Sequence, residues 1–221
     1  MRVSKNQLNA HFAASAAVVG AAAMMGSEAN AAVVYSGPMN MAIPVNIDGV
    51  YINVVTGATG SAAADVSGWD INPYSGTALT WYAPSAPAAS HGAVRNAPGG
   101  ASSTTVDNLA LGFVVGPTLP SGAATSFGNG GSETAATSTT KFNLNSDANF
   151  VGFRFFNEST SAVHYGFMQL HLGASMIDAS RSILGIWYEG AAATAIAVNP
   201  IPAPGAIALL GLAGLISKRR R

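Results

Sequence analysis

The stretch NFVGFRFFNESTSAVHYGFMQLHLG, Asn149 to Gly173, is the strongest strand signal in this 221-residue chain. Two segments rich in aromatic and β-branched residues, Asn149 to Phe156 and Ala162 to Leu172, flank a polar interval at Asn157 to Ser161. Such a pattern predicts a β-hairpin, because a turn needs polar residues that tolerate tight backbone angles while the arms need side chains that pack on a pleated surface. Downstream, SILGIWYEG predicts a strand from Ser182 to Glu189 and TAIAVN another from Thr194 to Asn199. Upstream, in GVYINVVTG, Val50, Ile52 and Val54 alternate with Tyr51, Asn53 and Val55, the period-two signature of a strand with one buried face. Shorter candidates are Trp69 to Asn72, Thr77 to Ala83, Leu109 to Gly116 and Lys141 to Leu144. The intervals 83–105 and 117–140, dominated by Ala, Gly, Ser, Thr and Pro, read as loops.

No window carries the ten or more residues of helical periodicity that crossover helices would need, so a parallel βαβ sheet is excluded. Short strands at close spacing predict an all-β, antiparallel β-sandwich, with a jelly roll as one form of it. No internal repeat of fixed period is present.

Only 9% of the residues are charged, and the formal net charge of zero conceals an uneven distribution. Arg2 and Lys5 open the chain and Lys218, Arg219, Arg220 and Arg221 close it. Between Ala32 and Asn199 four cations face nine acids, a formal −5. This body lacks the basic patch that would replace phosphate counterions, so nucleic acid is excluded as a partner. Cysteine is absent, which excludes a disulfide framework and a Cys-ligated zinc site. An exported domain without disulfides fits a bacterial envelope.

The two ends read as processing segments. Arg2 and Lys5 supply a positive n-region, Ala13 to Met25 a predominantly apolar run, and Ala29-Asn30-Ala31 the small-x-small pattern of a signal peptidase site. Cleavage is expected after Ala31, leaving Ala32 as the first residue; the alternative, a buried N-terminal helix, would have few bulky side chains to pack. At the other end Pro202 and Pro204 stop the preceding strand, and Pro204 suits the first turn of a helix. A helix from Pro204 to Lys218 would be about 22 Å long, against a hydrocarbon core of ~30 Å. It could insert by thinning the bilayer while Lys218 snorkels, with the terminal cations in the cytoplasm and the body outside. A core helix would need a polar face, and every position from Ala206 to Ile216 is apolar or Gly. The expected organisation is a signal segment at 1–31, a β-domain at 32–199 and a sorting or anchoring segment at 200–221.

This tripartite end resembles the PEP-CTERM sorting signal of bacterial exosortase systems, over Ile201 to Arg221. The resemblance implies that the tail holds the exported protein in the inner membrane until exosortase acts at the short motif, here Pro202-Ala203-Pro204. Ala203 stands where the family has Glu, which leaves open whether the tail is cut or only anchors. The stretches IDGVYINVVTG, GWDINPY, GFRFFNE and VHYGFMQLHLG are similar to those of other exosortase-sorted proteins. They imply an extracellular β-domain and carry no established activity.

Catalytic chemistry has little to stand on. The nearest approach to a nucleophile elbow is Gly173-Ala174-Ser175-Met176, but Ile177 occupies the position of the second Gly. Lys141 is the body's only lysine and follows no Gly, so no phosphate loop exists. His164 and His171 lie seven apart on one predicted strand, on opposite faces, and cannot share a metal there. Asn143, Asn145, Asp147 and Asn149 alternate like the first ligands of a calcium loop, but the bidentate Glu and the turn Gly are missing; a turn rich in Asx hydrogen bonds is the simpler reading. Asp48, Asp70, Glu158 and Glu189 are candidates for a glycosidase pair, though no pattern brings two together. Asp48 and Glu189 also suit a turn and a strand end. No catalytic residue, cofactor or metal is assigned.

Aromatic residues remain. Trp69, Tyr74, Trp81, Tyr82, Trp187 and Tyr188 offer flat apolar faces with polar edges, and in Trp81-Tyr82 and Trp187-Tyr188 one ring is expected inward and its neighbour outward. The overall expectation is a non-catalytic exported protein of the cell envelope or extracellular matrix, at least transiently held in the membrane, with signal peptidase and exosortase as processing partners. The alternatives are a carbohydrate-binding module for exopolysaccharide, built on those aromatics, and a glycoside hydrolase.

Overall fold

The computed structural model describes residues 32–96, 105–120, 125–128, 130–135 and 142–200. Fifteen strands occur among them. The first six are β1 (Val33–Tyr35), β2 (Met41–Ala42), β3 (Tyr51–Ile52), β4 (Thr59–Gly60), β5 (Asn72–Tyr74) and β6 (Thr80–Ala83). Then come β7 (Gly92–Asn96), β8 (Thr105–Val106), β9 (Val114–Val115), β10 (Thr125–Phe127) and β11 (Gly131–Ala135). The last four are β12 (Ser146–Asn157), β13 (Ala162–Leu172), β14 (Ser182–Glu189) and β15 (Ile196–Ala197). The helical content of the described residues is one 3₁₀ turn, Ala63–Asp65. The described residues are therefore all-β, and their strand pairs are antiparallel except β8 with β11.

The expected hairpin is β12–β13, in register from Asn149 opposite Leu170 to Asn157 opposite Ala162. Its turn is set locally. The Asn157 side chain accepts the Ser159 N–H at 3.0 Å, and the Asn157 carbonyl accepts the Thr160 N–H at 3.2 Å. Such Asx bonds stand in for the missing ladder.

One eleven-stranded sheet follows the order β1-β14-β13-β12-β7-β8-β11-β6-β5, with β2 on β14 and β10 on β7. Strand alternation sorts its side chains into two apolar clusters. Val151, Phe153 and Phe155 of β12, Met168, Leu170 and Leu172 of β13, and Ile183 and Ile186 of β14 join Leu79, Trp81, Ile52, Ile71 and Ile43 in one. Phe150, Tyr165, Phe167 and Trp187, on the opposite face of the same strands, join Val94, Leu109, Val115, Ile196 and Val198 in the other. Covered on both faces, β12 to β14 carry near-continuous apolar sequence.

The alternation read at Val50, Ile52 and Val54 holds only in part: all three pack in the first cluster, but the out-of-phase Val55 does so too, Asn53 is buried, and the paired strand is only two residues long. The loop readings need correction. The interval 83–105 contains β7, which sits in mid-sheet with Ala93 and Val94 fully buried, and 117–140 contains β10 and β11. β7 links the two halves of the sheet: Gly92 and Ala93 pair with β12, and Arg95 with Val106 of β8, while β10 adds along Val94 to Asn96. Gly92 has φ +134, and a Cβ there would overlap the Gly128 carbonyl, so only glycine lets the chain pass. Small residues gave no strand signal because their burial depends on neighbours. Asn143 and Leu144 are not strand; Phe142 anchors this segment at 1% exposure. Leu109 to Gly116 contributes only β9, since Ala110 to Phe113 form a turn, and Thr194 to Asn199 contributes only β15. The expected helix of the signal segment at 1–31 and the apolar helix from Pro204 to Lys218 lie outside the described residues.

Candidate functional site

The stretches IDGVYINVVTG and GWDINPY lie against each other. The Val50 N–H donates to the Pro73 carbonyl at 3.2 Å and Ile52 bridges antiparallel to Ile71, which sets Tyr51 opposite Asn72. On the other side of β5, Asn72 pairs with Tyr82 and Pro73 with Trp81. Directly paired residues share a face. Ile52, Ile71 and Trp81 therefore point into the first cluster, and Tyr51, Asn72 and Tyr82 form a row on the outer face. The Trp69 ring bridges the two phenols, stacked on Tyr82 at 5.4 Å and 26° and edge-on to Tyr51 at 4.9 Å and 89°. Tyr74, two residues from Asn72 along β5, shares that face. Trp69, Tyr51 and Tyr74 are half-buried, and Tyr82 is 37% exposed.

The rim of this face is built by a tight turn. Asn46 Oδ1 accepts the N–H groups of Asp48 at 3.2 Å and Gly49 at 2.8 Å, and Gly49 takes φ +66. A Cβ on Gly49 would overlap Asn72, so the chain crosses β5 closely enough for the Asn72 amide to reach the Asp48 carbonyl at 3.0 Å. Asp48 is an exposed turn residue, as expected.

A buried polar cluster lies nearby. Asp70 is 2% exposed; its Oδ2 accepts the Val54 N–H at 2.7 Å, and its Oδ1 lies 3.5 Å from His91 Nε2. Burial pushes the Asp70 carboxyl above its usual range, against the opposing bonds from His91 and Val54; the Glu158 charge adds to the rise. His91 Nδ1 lies 2.8 Å from Ser90 Oγ, whose own proton is given to the Pro87 carbonyl. The imidazole N–H therefore donates to Ser90. Serine, histidine and aspartate stand in a row, but the hydroxyl proton points away from the imidazole, and all three are at most 3% exposed. An activated nucleophile needs the opposite polarity. Tyr188 has its hydroxyl pKa raised by burial and then by the Asp70 charge.

The remaining sequence candidates separate cleanly. Trp81 is fully buried and stacks with Phe142 at 6.0 Å. Trp187 is held between Tyr35 at 4.5 Å and Phe167 at 5.0 Å. The inward–outward expectation fails for Trp187-Tyr188, because β14 is covered on both sides: Tyr188 packs edge-on against Phe155 at 5.3 Å in the first cluster. Three of the six aromatics, Trp69, Tyr74 and Tyr82, share the outer face, and Tyr51 joins them. Its signal was present in the sequence as the out-of-phase residue of the Val50–Val54 alternation. Asp70 was legible only as a lone candidate carboxylate, and Ser90 and His91 carried no such signal, the three being brought together by tertiary pairing.

His164 is buried, bonded to Thr160 Oγ1 at 2.9 Å and the Glu189 carbonyl at 2.9 Å, while His171, on the opposite face, meets Asp147 Oδ1 at 2.6 Å. The calcium-like stretch is an Asx net: Asn149 accepts the Asn143 N–H at 2.7 Å and donates to the Asn143 carbonyl at 2.9 Å. Among the described residues no three His, Asp or Glu side chains are grouped to hold a metal. Glu189 is 3% exposed and closes its strand by accepting the Ala191 N–H at 3.2 Å. Ala32 begins the described chain, its carbonyl accepting the Gly190 N–H at 3.0 Å. Ala29, Ala31, Pro202, Ala203, Pro204, Lys218, Arg219, Arg220 and Arg221 lie outside the described residues, among which no helix is long and apolar enough to cross a membrane.

Comparison with protein-family models, with curated proteins and with solved structures finds no match to this chain.

Proposed function

We propose that this chain is a non-catalytic protein exported to the cell envelope or extracellular matrix, delivered by a signal segment at 1–31 and sorted or tethered through 200–221. The observation that carries the reading is the pair of terminal segments: leader chemistry before Ala32, and a Pro, apolar and Arg succession after Asn199. The body is read as a two-sheet sandwich, in which β12 to β14 and β5 to β6 face each other across the first cluster. β7 passes from one layer to the other. Mass spectrometry of both ends, from fractionated cells, tests the proposal. An N-terminus at Ala32 with a C-terminus near Pro202 to Pro204 supports sorting by exosortase, and an intact Arg221 in the membrane fraction supports a plain anchor. Full-length soluble protein in the cytoplasm refutes both.

A second reading, a carbohydrate-binding module for exopolysaccharide, is favoured by the outer face of Tyr51, Trp69, Tyr74 and Tyr82. Ring faces contact sugar C–H surfaces while phenol and indole edges reach hydroxyls. Retardation of the protein in polysaccharide-containing gels, lost on Tyr82→Ala, tests it.

A further inference from the structure

The C-terminal segment departs from a part of the domain whose own sequence carries no charge. β15 pairs with β9, Ile196 opposite Val115 and Ala197 opposite Val114. Beyond it, the Val198 N–H donates to the Phe113 carbonyl at 2.8 Å, and the Gly112 N–H to the Val198 carbonyl at 2.9 Å. These bonds fasten the turn Ala110 to Phe113 to the last residues before the tail. The turn is closed by the Phe113 N–H on the Ala110 carbonyl at 3.1 Å, and Gly112, at φ +82, occupies the position that a type II turn reserves for glycine. Its tip, Leu111, is 67% exposed, and Val114 beside it is 41% exposed.

A single exposed leucine needs no explanation. Here, however, two large apolar side chains are held outward on the pair of segments that meets the exit of the chain. No charged residue occurs from Asn108 to Ser132 or from Gly190 to Ser217, whereas the body as a whole carries thirteen. The first residue of the uninterrupted apolar run, Ala206, follows Val198 by eight positions. Fully extended, that connection spans at most about 28 Å. A tail seated in a bilayer therefore keeps this end of the domain close to the headgroups. A turn with protruding Leu and Val, on chain segments that carry no charge of their own, suits that zone, since none of their side chains is ionic.

We propose that the Leu111 to Val114 turn is a lipid-contacting foot, which rests in the interface of the membrane that holds the C-terminal segment and so orients the domain on the bilayer. This rests on the tethered reading above.

The chain contains no cysteine, so a single introduced thiol is a unique labelling site. Full-length protein carrying Leu111→Cys, with Val114→Cys as a second foot position, is labelled with an environment-sensitive nitrobenzoxadiazole probe. It is reconstituted with vesicles of phosphatidylethanolamine and phosphatidylglycerol. Ile47→Cys is the reference, because Ile47 is 81% exposed on the β2–β3 loop. Flotation with the vesicles reads the tether, and fluorescence reads the foot. The expected result is flotation of all variants, a several-fold rise in emission at 111 and 114, quenching of that emission by nitroxide-labelled lipid, and water-like emission at 47. Water-like emission at 111 and 114 in protein that floats overturns the foot and leaves the tether standing. A rise that nitroxide lipid does not quench assigns the turn to a second copy of the chain and overturns the proposal, as does an equal response at position 47. Absence of flotation overturns the tether and the foot together.

Discussion

Replacing Arg181 tests the most concentrated polar contact in the fold. The side chain is fully buried, and all five of its N–H donors end on backbone carbonyls. Nε reaches Ile43 at 3.1 Å, Nη1 reaches Ala78 and Met176 at 2.8 Å each, and Nη2 reaches Ser75 at 2.7 Å and the Pro44 carbonyl. One guanidinium thus ties the start of β14 to the segment after β2 and to the loop between β5 and β6. Burial pulls its pKa below the ordinary value, and an arginine nonetheless remains charged. Two large terms oppose each other when Arg181→Met is made. Removing a buried charge recovers several kcal/mol of desolvation. Against it, five carbonyls lose charge-assisted donors, and each buried acceptor left unpaired costs about 1–3 kcal/mol. The second term wins because methionine offers the carbonyls nothing, and those of Ile43 and Ala78 are buried away from water. A net loss of about 3–5 kcal/mol is expected, out of a total stability of about 5–15 kcal/mol. With a urea m-value of ~2 kcal/mol/M the midpoint falls by ~2 M. Arg181→Lys keeps the charge and three donors but lacks the planar fork, and should lose about 2 kcal/mol. Equilibrium urea unfolding followed by tryptophan fluorescence reads both. A methionine variant as stable as the parent, or more stable than the lysine variant, would refute the claim that the carbonyl cage holds these segments.

Asp70→Asn probes the buried carboxyl. A folded-state pKa raised above the unfolded one favours the folded protein at low pH, and the advantage is lost as pH rises through the raised value. Parent stability should therefore fall relative to Asp70→Asn as pH increases from about 4; a difference independent of pH in urea midpoints contradicts this. Gly92→Ala should cost about 2–3 kcal/mol, because a Cβ meets backbone that cannot move aside, whereas Gly37→Ala, at φ +81 with open space, should cost only about 1 kcal/mol. Thermal unfolding ranks the pair, and equal shifts would argue against the steric reason. If the outer aromatic face binds polysaccharide, Trp69→Ala and Tyr82→Ala should each weaken gel retardation by about tenfold, the loss of roughly 1.5 kcal/mol of ring contact. Unchanged retardation in folded variants removes that reading.

Local pattern in the sequence determined much of the framework. The alternation at Val50, Ile52 and Val54, the polar interval at Asn157 to Ser161 and the aromatic arms beside it each specify a strand or a turn through neighbours one to four residues away. The opposite-face placement of His164 and His171 follows from the same period of two. The structure decided what covers each face. Ala93 and Val94 became mid-sheet residues although their surroundings read as loop, because small side chains advertise burial only through the strands packed on them. Trp187 and Tyr188 are both enclosed because a second apolar layer closes over β14, and adjacent residues carry no information about such a layer. Asp70 and His91 meet, and Tyr51 lines up with Asn72 and Tyr82, through register between segments distant in the chain. Such register is set by the summed packing of the sheet, which no short window of sequence contains.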